Sequence, residues 1–215
     1  MSVGANVLGE QDFASVSIEL PVAKENVFVL LCEVEKLYRI NPHLEIKFWK
    51  EEAKGKLYSD KIISADILNE MNGLRQQMNI SVSDIQPGES FTIKYDNGLK
   101  QATFFSVEAI DQASSRLTVK EIYPAELSES ERKARLNEVD NSLVPWGNAI
   151  HSFFMRRKKW AWFPFRAWIQ DVFWLGMSPR HRRITRLLIW TTVLEFVVFM
   201  FVFVIYWLEL GRGKF

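Results

Sequence analysis

The chain has 215 residues, 48% of them hydrophobic, a formal net charge of +1 and a single cysteine. That length carries one compact domain with a genuine core, and the lone Cys32 excludes an intrachain disulfide, in keeping with a reducing compartment. Cys32 lies in an apolar helical stretch and reads as a small buried hydrophobe, not a nucleophile.

Residues 1–12 read as a tail. They lack a basic region followed by an apolar stretch, so no signal peptide is expected, and the Met-Ser start excludes N-myristoylation. The first strand is expected from residue 13: Val16, Ile18 and Leu20 alternate with Ser15, Ser17 and Glu19 until Pro21 stops it. A helical pair follows, with Val27, Leu30, Leu31, Val34 and Leu37 at helical spacing and Asn41-Pro42 at its end. From His43 the period returns to two. Leu44, Ile46 and Phe48 alternate with Glu45 and Lys47, and strand-like runs recur at 57–68, 74–85, 91–95, 102–110 and 117–122. Turn signals such as Asn72-Gly73, Pro87-Gly88 and Asp96-Asn97-Gly98 separate them, which implies an antiparallel meander.

After Pro124 the pattern turns helical again. Ser128 and Glu131 have capping-box spacing, and Leu136, Val139, Leu143, Trp146 and Ile150 form an apolar stripe on a long helix. Pro145 should kink that helix at the cost of a backbone hydrogen bond.

The charge changes sign beyond residue 150. Residues 1–150 hold 16 basic and 23 acidic groups, a net of −7, whereas 151–186 hold nine basic groups against Asp171, a net of +8. Within this basic block Arg156, Arg157, Lys158, Lys159, Arg182 and Arg183 accompany Trp160, Trp162, Trp168 and Trp174, the residue types that suit the head-group region of a bilayer. Aromatic packing against the domain's own surface is the other reading of the same residues. Because the basic groups flank an apolar run and not the folded domain, membrane lipids are the expected partner and nucleic acid is not.

That run, 187–208, makes a helix of roughly 33 Å, matching the ~30 Å hydrocarbon core. It has no polar face, Tyr206 and Trp207 sit where an aromatic belt would lie, and seven residues follow. The expectation is a tail-anchored, single-pass membrane protein with its large N-terminal domain cytoplasmic, at the inner membrane if bacterial, since the basic flank stays inside. Glu195 is the exception in the span: a charge near the bilayer centre costs about 2.5–3.5 kcal/mol, so contact with a membrane-protein partner or a second copy is one reading and a tolerated neutral acid the other.

The strand, helical pair, six strands and long helix resemble the helix-grip fold of the START-like (SRPBCC) superfamily, in particular its polyketide cyclase/dehydrase and lipid-transport branch. The residues carrying the likeness are Pro21-Val22-Ala23 leading into Val27-Phe28-Val29-Leu30-Leu31, then Val34-Glu35-Lys36-Leu37 and Asn41-Pro42, within 13–158. The resemblance implies an α+β domain whose curved antiparallel sheet wraps the long C-terminal helix around an apolar cavity for a lipid-like molecule. Its lining would be Leu44, Ile46, Phe48, Met78, Ile80, Phe91, Ile93, Phe105, Val107 and Leu117 from the sheet, with Val139, Leu143, Trp146 and Ile150 from the helix. The same residues would equally fill a packed core.

The organisation expected is therefore a tail (1–12), a START-like domain (13–158), a basic aromatic interfacial segment (159–186), a transmembrane helix (187–208) and a short tail (209–215). His43, His151 and His181 share no metal-ligand spacing, and no nucleophile elbow, Walker loop or dinucleotide fingerprint is present. No catalytic residue, metal or cofactor is expected. Cyclases and aromatases of that superfamily act with polar groups inside the cavity, and polar residues such as Gln77, Asn79 and Lys61 are just as well explained by an outer strand face. Membrane-tethered binding or transfer of a hydrophobic ligand leads, ahead of an accessory or assembly subunit of a membrane complex and of a cyclase- or aromatase-like enzyme.

Overall fold

The computed structural model describes residues 2–8, 11–52, 57–98, 100–124, 130, 133 and 142–212. It divides into two compact units, Met1–Gly176 and Met177–Phe215.

Period-two alternation builds the first unit. Its antiparallel strands are β1 (Ser2–Leu8), β2 (Gln11–Leu20), β3 (Leu44–Glu51), β4 (Ile62–Asn69), β5 (Arg75–Gln86), β6 (Ser90–Tyr95), β7 (Ala102–Ala109) and β8 (Ser115–Pro124). They form one eight-stranded sheet in the order β1-β2-β8-β7-β6-β5-β4-β3. Strands β3 to β8 follow one another as a meander, and β2 then pairs with β8. The segment joining β2 to β3 must therefore cross the whole sheet. It does so as two helices, α1 (Lys24–Cys32) and α2 (Val34–Ile40), broken at Glu33. The apolar face of the sheet is covered by α1, α2 and α3 (Val144–Lys159), giving the α+β helix-grip arrangement. Val16, Ile18, Val27, Leu31, Ile80, Phe105, Leu117 and Ile150 meet in one core.

Several expectations change. Residues 2–8 are a strand and not a tail: β1 pairs along its length with β2, from Ser2 opposite Ser17 to Leu8 opposite Gln11, and pairing to an edge needs no strong apolar pattern. Phe48 is on the outer face, 53% exposed, because a bulge between Ile46 and Phe48 shifts the register and turns Trp49 inward against Tyr38 instead. Lys61 is not on an outer face but fully buried, its Nζ 2.6 Å from Glu51 Oε2. Pro145 stands in the first turn of α3, directly after a π-helical turn at Ser142 and Leu143. The compact unit also runs past 158 to Gly176, because Leu175 belongs to the core. Ser128, Glu131, Leu136 and Val139 lie outside the described residues.

Candidate ligand cavity and basic aromatic segment

The sheet's inner face is packed in its middle and open at one end. Phe91 and Phe105 stack with centroids 5.1 Å apart, and Phe105 meets the edge of Trp146 at 5.8 Å. Ile80, Ile93, Val107, Leu117, Leu143 and Ile150 are buried in the same core, and Ile46 packs partly buried against it. Beyond Trp146, α2, the start of α3 and the neighbouring ends of β3 to β6 enclose a cavity of about 530 Å³. Of the residues expected to line a cavity, Leu44, Met78 and Trp146 do so, joined by Ile67, Met71 and Leu74. Besides Gly98, the remaining lining is polar: Tyr38, Asn41, Asn69, Asn72, Gln76, Tyr95, Asn97, Lys100 and Ser142.

A buried hydrogen-bonded group backs this end. The Tyr38 and Tyr95 hydroxyls are 2.6 Å apart, and the Tyr95 hydroxyl is 2.8 Å from Thr103 Oγ1. Opposite Thr103 in the strand register sits Glu121, fully buried, which accepts Lys100 Nζ at 3.0 Å and the Tyr123 hydroxyl at 2.7 Å. Burial raises the pKa of Tyr38 well above the ordinary phenol value, helped by the charge and hydrogen bond of Tyr95. Burial also raises that of Tyr95, against the opposing pull of Lys100 and Thr103. Both phenols therefore stay protonated hydrogen-bond donors. Asn41, at the end of α2, is fully buried too; its Oδ1 accepts the His43 backbone N–H at 2.9 Å, while its Nδ2 has no hydrogen-bond partner among the described residues.

These polar residues escaped the sequence reading, although one signal was available. Leu117, Val119, Glu121 and Tyr123 share a face by alternation, so an acid among inward positions was visible. Tyr38 and Asn41 carried no such mark, since their company is set by how α2 lies across the sheet.

Outside the cavity, Cys32 is half-buried and its pKa is raised, first by burial and then by Glu33, with Lys61 opposing. A thiol held protonated is a poor nucleophile. Among the described residues no three His, Cys, Asp or Glu side chains gather as a metal site.

The basic aromatic segment begins on α3 and continues through a π-helix, Trp168–Trp174. Polar side chains pin it to the domain. Asp171 Oδ2 lies 3.2 Å from Lys36 Nζ and 3.5 Å from Arg157, and Gln170 donates to the Phe153 carbonyl at 3.0 Å. With Leu175 as the buried anchor, the large rings are left outward: Trp160, Trp162 (79% exposed), Phe165, Trp168 and Phe173 are exposed, and Trp174 is half-buried. Arg156, Lys158 and Lys159 are exposed beside them in sequence. The aromatics thus pack on the domain's own surface only in part.

The second unit contains α4, Pro179–Arg212. Residues Pro179–Leu210 are long and apolar enough to cross a membrane, and none of the most apolar stretch is buried. Thr191 and Thr192 turn their hydroxyls back onto the carbonyls of Leu187 and Leu188, at 3.1 and 3.0 Å, which satisfies them within the helix. Arg182 donates to the Met177 carbonyl, Arg183 is exposed, and Glu195 is exposed among apolar neighbours.

No protein-family model and no curated protein matches the chain. Solved structures do. The Zhui aromatase/cyclase from a Streptomyces species aligns with a TM-score of 0.57 at 12% identity, over 70% of this chain and 98% of that one. A START superfamily protein from Mycobacterium smegmatis aligns with a TM-score of 0.50 at 16% identity, over 66% and 97%. What the chain shares with them is the helix-grip fold, and at such identities the likeness speaks for the fold alone.

Proposed function

We propose that the protein binds a small, largely apolar molecule in the cavity between α2, α3 and the sheet, and is tethered to a membrane by α4, with the folded unit on the side of the basic block. The observation that carries this reading is the cavity itself. Its volume of about 530 Å³ falls within the ~300–1,000 Å³ typical of small-molecule sites, at one end of a sheet whose middle is packed by Phe91, Phe105 and Trp146. The fold shared with a START superfamily protein and an aromatase/cyclase supports ligand binding. The apolar α4, preceded by basic residues and exposed rings, supports the tether and a cytoplasmic orientation. Binding is favoured over catalysis because Cys32 is held as the thiol and Glu121 is already engaged by Lys100 and Tyr123.

The test is mass spectrometry of organic extracts from gently purified full-length protein. A stoichiometric small molecule is expected in the parent, and its loss in Met78→Trp, which fills the cavity from a half-buried position with little effect on melting. Parent and variant that both yield nothing would remove the reading.

A further inference from the structure

Asn41 is a buried donor without an acceptor. The bond from the His43 N–H to its Oδ1 identifies which amide atom is oxygen, leaving Nδ2, on a residue that lines the cavity, unpaired among the described residues. Folded proteins rarely keep such a group without a bound partner. The hydroxyls of Thr103, Tyr95 and Tyr38 add to the count: three protons serve two links, at 2.8 and 2.6 Å, so one proton remains for a further acceptor, and Tyr95 and Tyr38 both line the same cavity.

The charge of the site narrows what that acceptor is. Lys100 is paired with Glu121 at 3.0 Å, so together they contribute no net charge, and the other donors are neutral. A carboxylate or phosphate brought here would lose its hydration without a countercharge of its own, which hydrogen bonds alone do not offset. A neutral oxygen loses little and gains the donors.

We propose that this end of the cavity binds the carbonyl oxygen of a neutral amphipathic ligand, through Asn41 Nδ2 and the one spare proton of the hydroxyl chain, given by Tyr38 with Tyr95 behind it, with the ligand's apolar body against Leu44, Ile67, Met78 and Trp146. The inference rests on the ligand-binding reading and names the class of molecule bound.

Equilibrium dialysis of the full chain in dodecyl maltoside against 2-undecanone, n-undecane and undecanoate, with detergent alone as the blank, tests it. The ketone should bind about fivefold or more tighter than the alkane, the worth of one added hydrogen bond, and tighter than the carboxylate. Asn41→Asp keeps an acceptor for the His43 N–H but removes the donor, and Tyr38→Phe removes a hydroxyl; each should lose the ketone's advantage while alkane binding stays as in the parent. The carbonyl stretch of bound 2-undecanone, ¹³C-labelled at the carbonyl, should move to lower frequency on the parent protein, a measurement that decides the matter even if neither variant folds. Equal binding of ketone and alkane with an unshifted stretch would mean that water satisfies Asn41, overturning the inference while the cavity reading stands. Tighter binding of undecanoate would overturn the neutral head. Failure of all three compounds to bind would overturn the cavity reading and this inference together.

Discussion

Lys61 and Glu51 form a buried ion pair, 0% and 4% exposed, at the rim where β3 ends and β4 is about to begin. Removing one partner strands the other charge. Lys61→Ala should destabilise the domain by about 3–5 kcal/mol, whereas the double change Lys61→Met with Glu51→Leu should come close to the parent. Denaturant unfolding followed by tryptophan fluorescence distinguishes the two, and a double variant as weak as the single one would contradict the argument. Tyr38 and Tyr95 give a pH signature. With their pKa values raised by burial, they keep their protons in the folded state through a range above pH ~10 in which unfolded tyrosines lose theirs. The unfolded state then binds fewer protons, so stability is complete below that range and falls as pH rises through it. The fall should be shallower in Tyr38→Phe/Tyr95→Phe, read as melting temperature against pH from 8 to 11; identical slopes would count against the buried pair.

At the scale of elements, the π-helix Trp168–Trp174 is held by its polar side and not by its rings. Asp171 engages Lys36 and Arg157, Gln170 reaches the Phe153 carbonyl, and Trp168 and Phe173 remain exposed. Such an arrangement suits a lipid interface, where each nearby Lys or Arg adds about 1 kcal/mol against an anionic leaflet and aromatic rings enter the head-group layer. A truncated chain ending at Gly176 is expected to bind vesicles containing phosphatidylserine, to bind neutral phosphatidylcholine vesicles much less, and to be released by salt. Trp162→Ala with Trp168→Ala should weaken that binding without lowering the melting temperature, because both rings are already exposed. Vesicle sedimentation showing equal binding to both lipids, or none, would end the interfacial role. The bulge in β3 is the other decisive element: by one shifted residue it exchanges Phe48 for Trp49 on the inner face, and so supplies the ring that packs on Tyr38 beside the cavity.

For the whole molecule, a domain with a net −7 up to residue 150, a basic stretch and an apolar helix follow one another along the chain. If α4 spans a bilayer, alkaline carbonate should leave the full-length protein in the membrane pellet. Protease added to the cytoplasmic side should digest the N-terminal unit, since the basic residues ahead of the apolar run 187–208 outnumber Arg212 and Lys214 behind it. Release into the supernatant would refute the span, and protection of the N-terminal unit would refute the orientation.

The sequence by itself determined the strands from β2 to β8, the helical pair, the antiparallel meander and the apolar helix, because each depends on neighbours a few residues apart: a period of two, a period of 3.6, a turn dipeptide, an unbroken apolar run. Leu44, Met78 and Trp146, inward by the same periodicities, lie at the cavity. What separates them from Phe91, Phe105 and Ile150 is not local. All of these are inward apolar positions, and only the packing of Phe91, Phe105 and Trp146 across strands and helix decides where the interior is full and where it stays open. The edge strand β1, the displaced Phe48 and the buried Lys61 likewise depend on cross-strand register and on a partner far off or out of pattern. The company of Tyr38, Asn41, Tyr95 and Glu121 is drawn from positions 38 to 121 of the chain. A residue type in a sequence names its chemistry, but tertiary contact alone decides whether its hydrogen bonds are met by protein or left for a ligand.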